Sequence, residues 1–248
     1  MKKNTLVTLI LLLTQLSFSQ TMTVYKKDRT TVDFSLSQVD SITFSASATS
    51  QLLLFQEDFE GYSANTFPSS GGWVLRHNGA GDAYQVVTNA QHRSGNKSMQ
   101  LRGSRSAWWA AHMYKSIQFT QSPIFAEVWL MASASPTGDS EDIGRFLFYD
   151  LSTSQEWPGT YLYPTNGTIK CHIGDNQQTL VSFTANQWYK IKMKLDYARR
   201  SISVWINDSL IVQNVTGTFS SNSYNCFMLG AEHGNTTFYF DDIKVWTE

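Results

Sequence analysis

The segment QWYKIKMKLD does most to limit what this chain can fold into. Tyr189, Ile191, Met193 and Leu195 alternate with Lys190, Lys192 and Lys194. A period of two over that length describes a strand with one face in a core and the other in water. The turn YARR leads into SISVWIND, where Ile202, Val204 and Ile206 continue the buried face and Trp205 lies outside. If antiparallel register sets Leu195 beside Ile202, Trp205 falls beside Lys192, whose stem can cover the indole. Trp205 therefore reads as a covered structural residue before it reads as a ligand platform.

From Leu52 onward, short strand-like runs alternate with turn signals at the spacing of an all-β sandwich. No convincing amphipathic helix interrupts them, and no repeat at propeller or solenoid periods is present. IFAEVWLMA is apolar on both faces except at Glu127, as a central strand should be. RFLFYD and TYLYP carry Phe146, Phe148, Tyr161 and Tyr163 in alternation, and NGTIKCHIG reads as a hairpin entered through Asn166 and Gly167. The expected fold is all-β: a two-sheet antiparallel jelly-roll sandwich over residues 52–248, with a small β-hairpin appendage before it.

The first twenty residues combine Lys2 and Lys3, an apolar stretch from Leu6 to Leu13, and small residues at Ser17 and Ser19. This is the pattern of a signal peptide. It predicts a protein that is secreted, periplasmic or at the cell surface, and no later apolar run approaches the roughly 18 residues of a membrane span. Residues 21–45 form a small unit: Met22 and Val24, a turn-like KKDR, Val32 and Phe34, then VDSITF as a third strand. Such a unit is too small to hold a core alone. Residues 46–51, small and polar, read as a linker.

A formal net charge of -1 with no basic cluster removes the field that would hold nucleic acid. Aromatic residues, at 14%, are abundant enough to need explaining by strands or by flat stacking surfaces. Cys171 and Cys226 are an even pair, readable as a disulfide or as two isolated buried thiols.

FYFDDIKVW contains a break in parity. Phe238 and Phe240 share one face and Ile243 and Val245 the other, so a regular strand would expose one pair. A β-bulge at Asp241–Asp242 would keep both pairs inward and re-aim a carboxylate. Those aspartates could bond backbone amides or Lys244, or they could meet a cation.

Three segments carry a family resemblance. EDFEGYSANTFPSSGGW, HRSGNKSMQLRG and FYFDDIKVW resemble the opening, middle and closing motifs of the concanavalin-A-like lectin/glucanase jelly rolls. They are also similar to carbohydrate-binding jelly rolls attached to xylanases and cellulases. The WYKIKMKLDYARRSISVWINDSLI hairpin resembles the laminin-G-like pattern. Residues 21–45 resemble a unit that follows the signal in many secreted Bacteroidetes proteins, with Arg29 where that unit has a turn glycine. The resemblance implies a polysaccharide or cell-surface glycan as partner. It also implies a structural calcium held by Glu60, carbonyls near Ser94 and Lys97, and Asp241, since calcium takes hard oxygen ligands in flexible geometry.

Sugar rings stack their CH faces on flat aromatic side chains. Trp108, Trp109 and Trp157 lie in polar, turn-like sequence and are the platform candidates, with Arg105, Tyr149 and Tyr161 as lesser ones. In a strand, one of the adjacent Trp108 and Trp109 would face inward. Trp73 reads as a core anchor.

Catalysis has weaker support. The E-x-D-x-x-E pattern of glucanases on this fold is absent, and His77, His92, His112, His172 and His233 lack close metal-ligand spacing. Tyr161 or Tyr163 with His172 could form the proton-abstracting group of a polysaccharide lyase. The leading expectation is an exported, non-catalytic polysaccharide-binding module. A glycoside hydrolase or lyase is one alternative, and a structural or adhesive surface protein with a protein partner is another.

Overall fold

The computed structural model describes residues 21–25, 29–39, 51–117, 123–152, 158–174, 176–217 and 224–248. The expected signal segment, the VDSITF strand from Asp40 on, most of the linker and Trp157 lie outside the described residues. The chain divides into two compact units between Ala48 and Thr49.

In the small unit, β1 (Thr21–Tyr25) and β2 (Thr31–Ser35) form an antiparallel hairpin with Met22 opposite Phe34 and Val24 opposite Val32. Arg29 has φ 68, so the arginine occupies a backbone conformation that favours the glycine it replaces.

The large unit comprises β3 (Leu52–Glu57), β4 (Trp73–His77), β5 (Gln85–Thr88), β6 (Ser98–Arg102), β7 (Ala111–Ser116), β8 (Ile124–Ala132), β9 (Gly144–Tyr149) and β10 (Gly159–Tyr163). It continues with β11 (Thr168–Ile173), β12 (Asn176–Ser182), β13 (Tyr189–Asp196), β14 (Ser201–Ile206), β15 (Ser209–Thr216), β16 (Cys226–Ala231) and β17 (Thr237–Thr247). One seven-stranded sheet runs β12-β11-β10-β9-β16-β7-β4. An eight-stranded sheet runs β15-β14-β13-β8-β17-β6-β5, with β3 also paired to β17. This is the expected two-sheet sandwich.

The core lies between the sheets and follows the alternation. Ile191, Met193, Leu195, Ile202 and Val204 are buried, as are Phe146, Phe148, Ile169, Phe227 and Leu229 from the other sheet. Leu195 pairs with Ile202 and Lys192 with Trp205, and the Lys192 ammonium lies 4.5 Å from the Trp205 ring centre. β8 is central, between β13 and β17. Trp73 is buried against Phe59 and Phe227, its indole N–H donating to Glu57 Oε2 at 3.0 Å.

β17 changes partner along its length. Thr237–Phe240 pairs with β6 and Ile243–Thr247 with β3, while β8 runs along the other side. The register shift with β8 falls between Asp241 and Lys244, and Asp242 has φ 47. Phe238, Phe240, Ile243 and Val245 are all buried. The parity break is thus a bulge sited where one neighbour ends and the next begins.

Cys171 and Cys226 are both free and buried. They face opposite sides of the seven-stranded sheet, Cys171 toward the core and Cys226 within a smaller cluster with Leu147, Tyr149, Tyr161 and Met228. Burial pushes each thiol up to about 12. Among the described residues, no helix is long and apolar enough to cross a membrane.

Candidate functional site

Strand pairing assembles a row of polar and aromatic side chains across the outer face of the seven-stranded sheet. His77 on β4 is opposite His112 on β7, His112 opposite Gly230 on β16, Gly230 opposite Arg145 on β9, Arg145 opposite Tyr161 on β10, and Tyr161 opposite Lys170 on β11. Gly230 is required here, because an added Cβ would lie 2.8 Å from the His112 ring. Glu232 joins two members: its Oε1 is 3.0 Å from His112 Nε2 and 2.6 Å from Arg145 Nε.

One end of this face holds a tyrosine–histidine pair. Tyr163 Oη and His172 Nε2 are hydrogen-bonded at 2.9 Å, and Tyr161 stacks on the same imidazole at 4.2 Å. Burial first, then the Arg145 and Lys170 charges, push His172 down from 6.5 to about 3, so the ring is neutral. Burial pushes the Tyr163 hydroxyl up to about 12.

At the other end stands the loop that joins β6 to β7. Trp108 and Trp109 lie in this loop rather than in a strand, and both are exposed, at 64% and 51%. Trp108 stacks on His233 with ring centres 5.2 Å apart, and Trp109 on His77 at 4.7 Å. The loop is stapled to the segment after β16. Gly103 N donates to Thr236 O, Ser104 N to Glu232 O, His233 N to Trp108 O, and His233 Nε2 to Arg105 O at 2.8 Å. Arg105 Nε reaches Asp139 Oδ2 at 3.4 Å, and His233 Nδ1 reaches the same oxygen at 3.6 Å. On the far side, an added Cβ at Gly79 would lie 2.9 Å from Trp109 O, so that glycine permits the close approach.

The lesser platform candidates separate. Arg105 is exposed beside the tryptophans, its side chain 61% accessible. Tyr149 and Tyr161 are corrections: each is only 1% exposed, so neither offers an open ring. Tyr149 packs in the Leu147–Met228 cluster and its hydroxyl accepts from Arg76 Nε and Nη2, while Tyr161 is sandwiched between His172 and the Arg145 guanidinium. Both lie on the outer face of the seven-stranded sheet, where neighbouring side chains cover them.

The expected calcium ligands lie at the β17 bulge. Glu60 Oε1 accepts the amides of Asn96 and Lys97, both at 2.7 Å. Asp241 Oδ2 accepts those of Arg93 and Ser94 at 2.8 and 3.3 Å, and its Oδ1 accepts Asp242 N. The Lys97 ammonium donates to the carbonyls of Glu60 and Tyr62 at 2.9 and 2.8 Å. The two carboxylates fit a calcium poorly because backbone N–H groups already occupy them, and the Lys97 side chain brings a cation of its own to the adjacent carbonyls of Glu60 and Tyr62. Desolvation pushes the Asp241 carboxyl up to about 6 despite its amide bonds.

A cavity of about 340 Å³ beside the bulge is lined by Glu57, Asp58, Glu127, Asp242 and Lys244. Its carboxylates are engaged locally. Glu57 Oε2 accepts Tyr62 Oη and Trp73 Nε1, Asp58 accepts Glu60 N, and Asp242 accepts Ser94 Oγ. Glu127 lies opposite Lys192 on one neighbour strand and Lys244 on the other. Among the described residues, no three His, Cys, Asp or Glu side chains converge as a metal site.

Comparison with known proteins accords with this geometry. Residues 151–222 match a family model described as the sialidase-like CBM domain. No curated protein matches the sequence. Among solved structures, a sialidase is similar over 78% of this chain at 12% identity and TM-score 0.59, although the chain spans only 18% of that protein's length. The catalytic domain of a glycoside hydrolase family 131 protein from Coprinopsis cinerea is similar at 14% identity and TM-score 0.55, over 78% of this chain and 93% of that one. An endo-β-1,4-glucuronan lyase from Trichoderma reesei is similar at 9% identity and TM-score 0.51, over 79% of this chain and 96% of that one. The family model covers under a third of the chain and the structures are all under 25% identical, so what they share with this chain is the two-sheet jelly-roll sandwich.

Proposed function

We propose that this chain is an exported, non-catalytic polysaccharide-binding module whose platform is the Trp108–Trp109 loop. One observation carries the reading: two adjacent exposed indoles, each backed by a stacked imidazole, on a loop held by four hydrogen bonds to the 232–236 segment. Rings fixed in advance lose little freedom when a sugar stacks on them, so more of the apolar contact is retained as affinity. Arg105 stands beside them to bond hydroxyls or a carboxylate. The calcium that the resemblance implied has no part in this reading. Pulldown on insoluble polysaccharides tests it: the wild type is retained, and a Trp108→Ala/Trp109→Ala variant that still binds equally well would overturn the platform.

A second reading rests on the Tyr163–His172 pair. A neutral imidazole bonded to a tyrosine hydroxyl, with Arg145 and Lys170 nearby, has groups of the kind that draw a proton from a sugar ring beside a carboxylate, and because His172 is buried a substrate would meet the pair through the half-buried Tyr163. Incubation with uronate polysaccharides distinguishes the two. Unsaturated products absorbing in the ultraviolet would establish a lyase; their absence together with retention on the polysaccharide supports the binding module.

A further inference from the structure

We infer that Lys97 supplies the resident cation of the β17 junction, so that the fold closes around an ammonium where its relatives by resemblance close around calcium. The junction needs closing because β6 begins at Ser98 and β3 ends at Glu57, leaving β17 without a strand partner on that side at Asp241 and Asp242. The turns 58–62 and 93–97 fill the gap.

The donors of the second turn point at carboxylates. Amides of Arg93 and Ser94 converge on Asp241, and those of Asn96 and Lys97 on Glu60. Gly95, at φ 56, lets the turn wrap so tightly that an added Cβ would collide with the Glu60 carboxylate. Two pairs of N–H groups, one pair on each carboxylate, make an environment that suits anions rather than a metal ion. Lys97 Nζ bonds the carbonyls of both Glu60 and Tyr62.

Calcium needs several oxygens at about 2.3–2.6 Å, and the Glu60 and Tyr62 carbonyls that the 58–62 turn offers are already bonded to the ammonium. Lys97 is thus held at both ends, its amide on the Glu60 carboxylate and its Nζ on the Glu60 carbonyl. The single charge suffices because the amides already offset much of the charge on Glu60 and Asp241.

The test uses the full chain and its melting temperature. The wild type should melt at the same temperature in millimolar calcium and in EDTA. Lys97→Met keeps the stem, removes the charge and strands two carbonyls, and should melt ~5 °C lower. Lys97→Arg keeps the charge and should melt within about 2 °C of the wild type. A wild type that melts higher in calcium than in EDTA, or a Lys97→Met variant that melts with the wild type, would overturn the inference. Should Lys97→Met fail to fold, a folded Lys97→Arg together with a calcium-independent wild type sustains it, and a calcium-dependent wild type overturns it.

Discussion

The outward-facing aromatic rings of the eight-stranded sheet and those of the β6–β7 loop are treated differently. On the eight-stranded sheet, Trp205 lies under Lys192 at 4.5 Å, Trp129 under Arg93 at 4.1 Å, and Trp246 under Lys244 at 5.1 Å while stacking on Phe125. Phe125 in turn has Lys194 over it. On the loop at the margin of the seven-stranded sheet, Trp108 and Trp109 rest on histidines and keep much of their surface in water. Covered rings stabilise a sheet through cation–π contact and stem packing. Open rings backed from behind are available to a ligand. What lies over each ring, rather than the number of surface tryptophans, decides which rings are open to solvent.

The largest expected effect comes from deleting the open rings. Trp108→Ala/Trp109→Ala should weaken polysaccharide binding by about 10- to 100-fold, measured by affinity electrophoresis or calorimetry, with the melting temperature little changed. A second effect concerns histidines beneath the surface. His172 is depressed from 6.5 to about 3, so its contribution to stability is complete above about pH 6.5 and is lost as pH falls toward 3. By pH 5 the wild type should have lost about 2 kcal/mol that a His172→Gln variant retains, read from denaturant unfolding at pH 7 and pH 5. Equal losses would show that the ring is not sealed.

His233→Ala removes the backing ring of Trp108 and the bond to the Arg105 carbonyl. It should weaken binding by about 3- to 10-fold without touching the sugar, and Trp108 fluorescence should report a looser environment. The smallest effect tests the covered class. Lys192→Ala uncaps Trp205 and should cost about 0.5–1 kcal/mol of stability with no change in binding. A gain of binding would break the distinction between the two classes of ring.

Much of the fold was legible in local pattern. The Ile–Lys alternation specified the β13–β14 register through to the lysine over Trp205, and the parity break at Asp241 located the bulge. Those features depend on neighbours in sequence. The row from His77 to Lys170 does not: it draws on five side chains from five strands, and their alignment follows from the order β11-β10-β9-β16-β7-β4, which no local signal contains. Trp108 and Trp109 read as turn-like from their polar neighbours, but sequence alone left open a strand in which one of them would face inward. Bonds from Gly103 and Ser104 to a segment more than a hundred residues away hold that stretch as a loop instead. Lys97 was counted as a carbonyl donor to a metal because the destination of a flexible ammonium is a tertiary fact.

The position of β17 bears on how the protein is made. The last strand in chain order occupies the interior of its sheet, with β8 on one side and β6 and β3 on the other. Until Thr237–Thr247 has emerged from the ribosome, β15-β14-β13-β8 and β5-β6 are two fragments with nothing between them. Completion of the sandwich therefore waits for the end of synthesis of this domain, as long-range pairing demands.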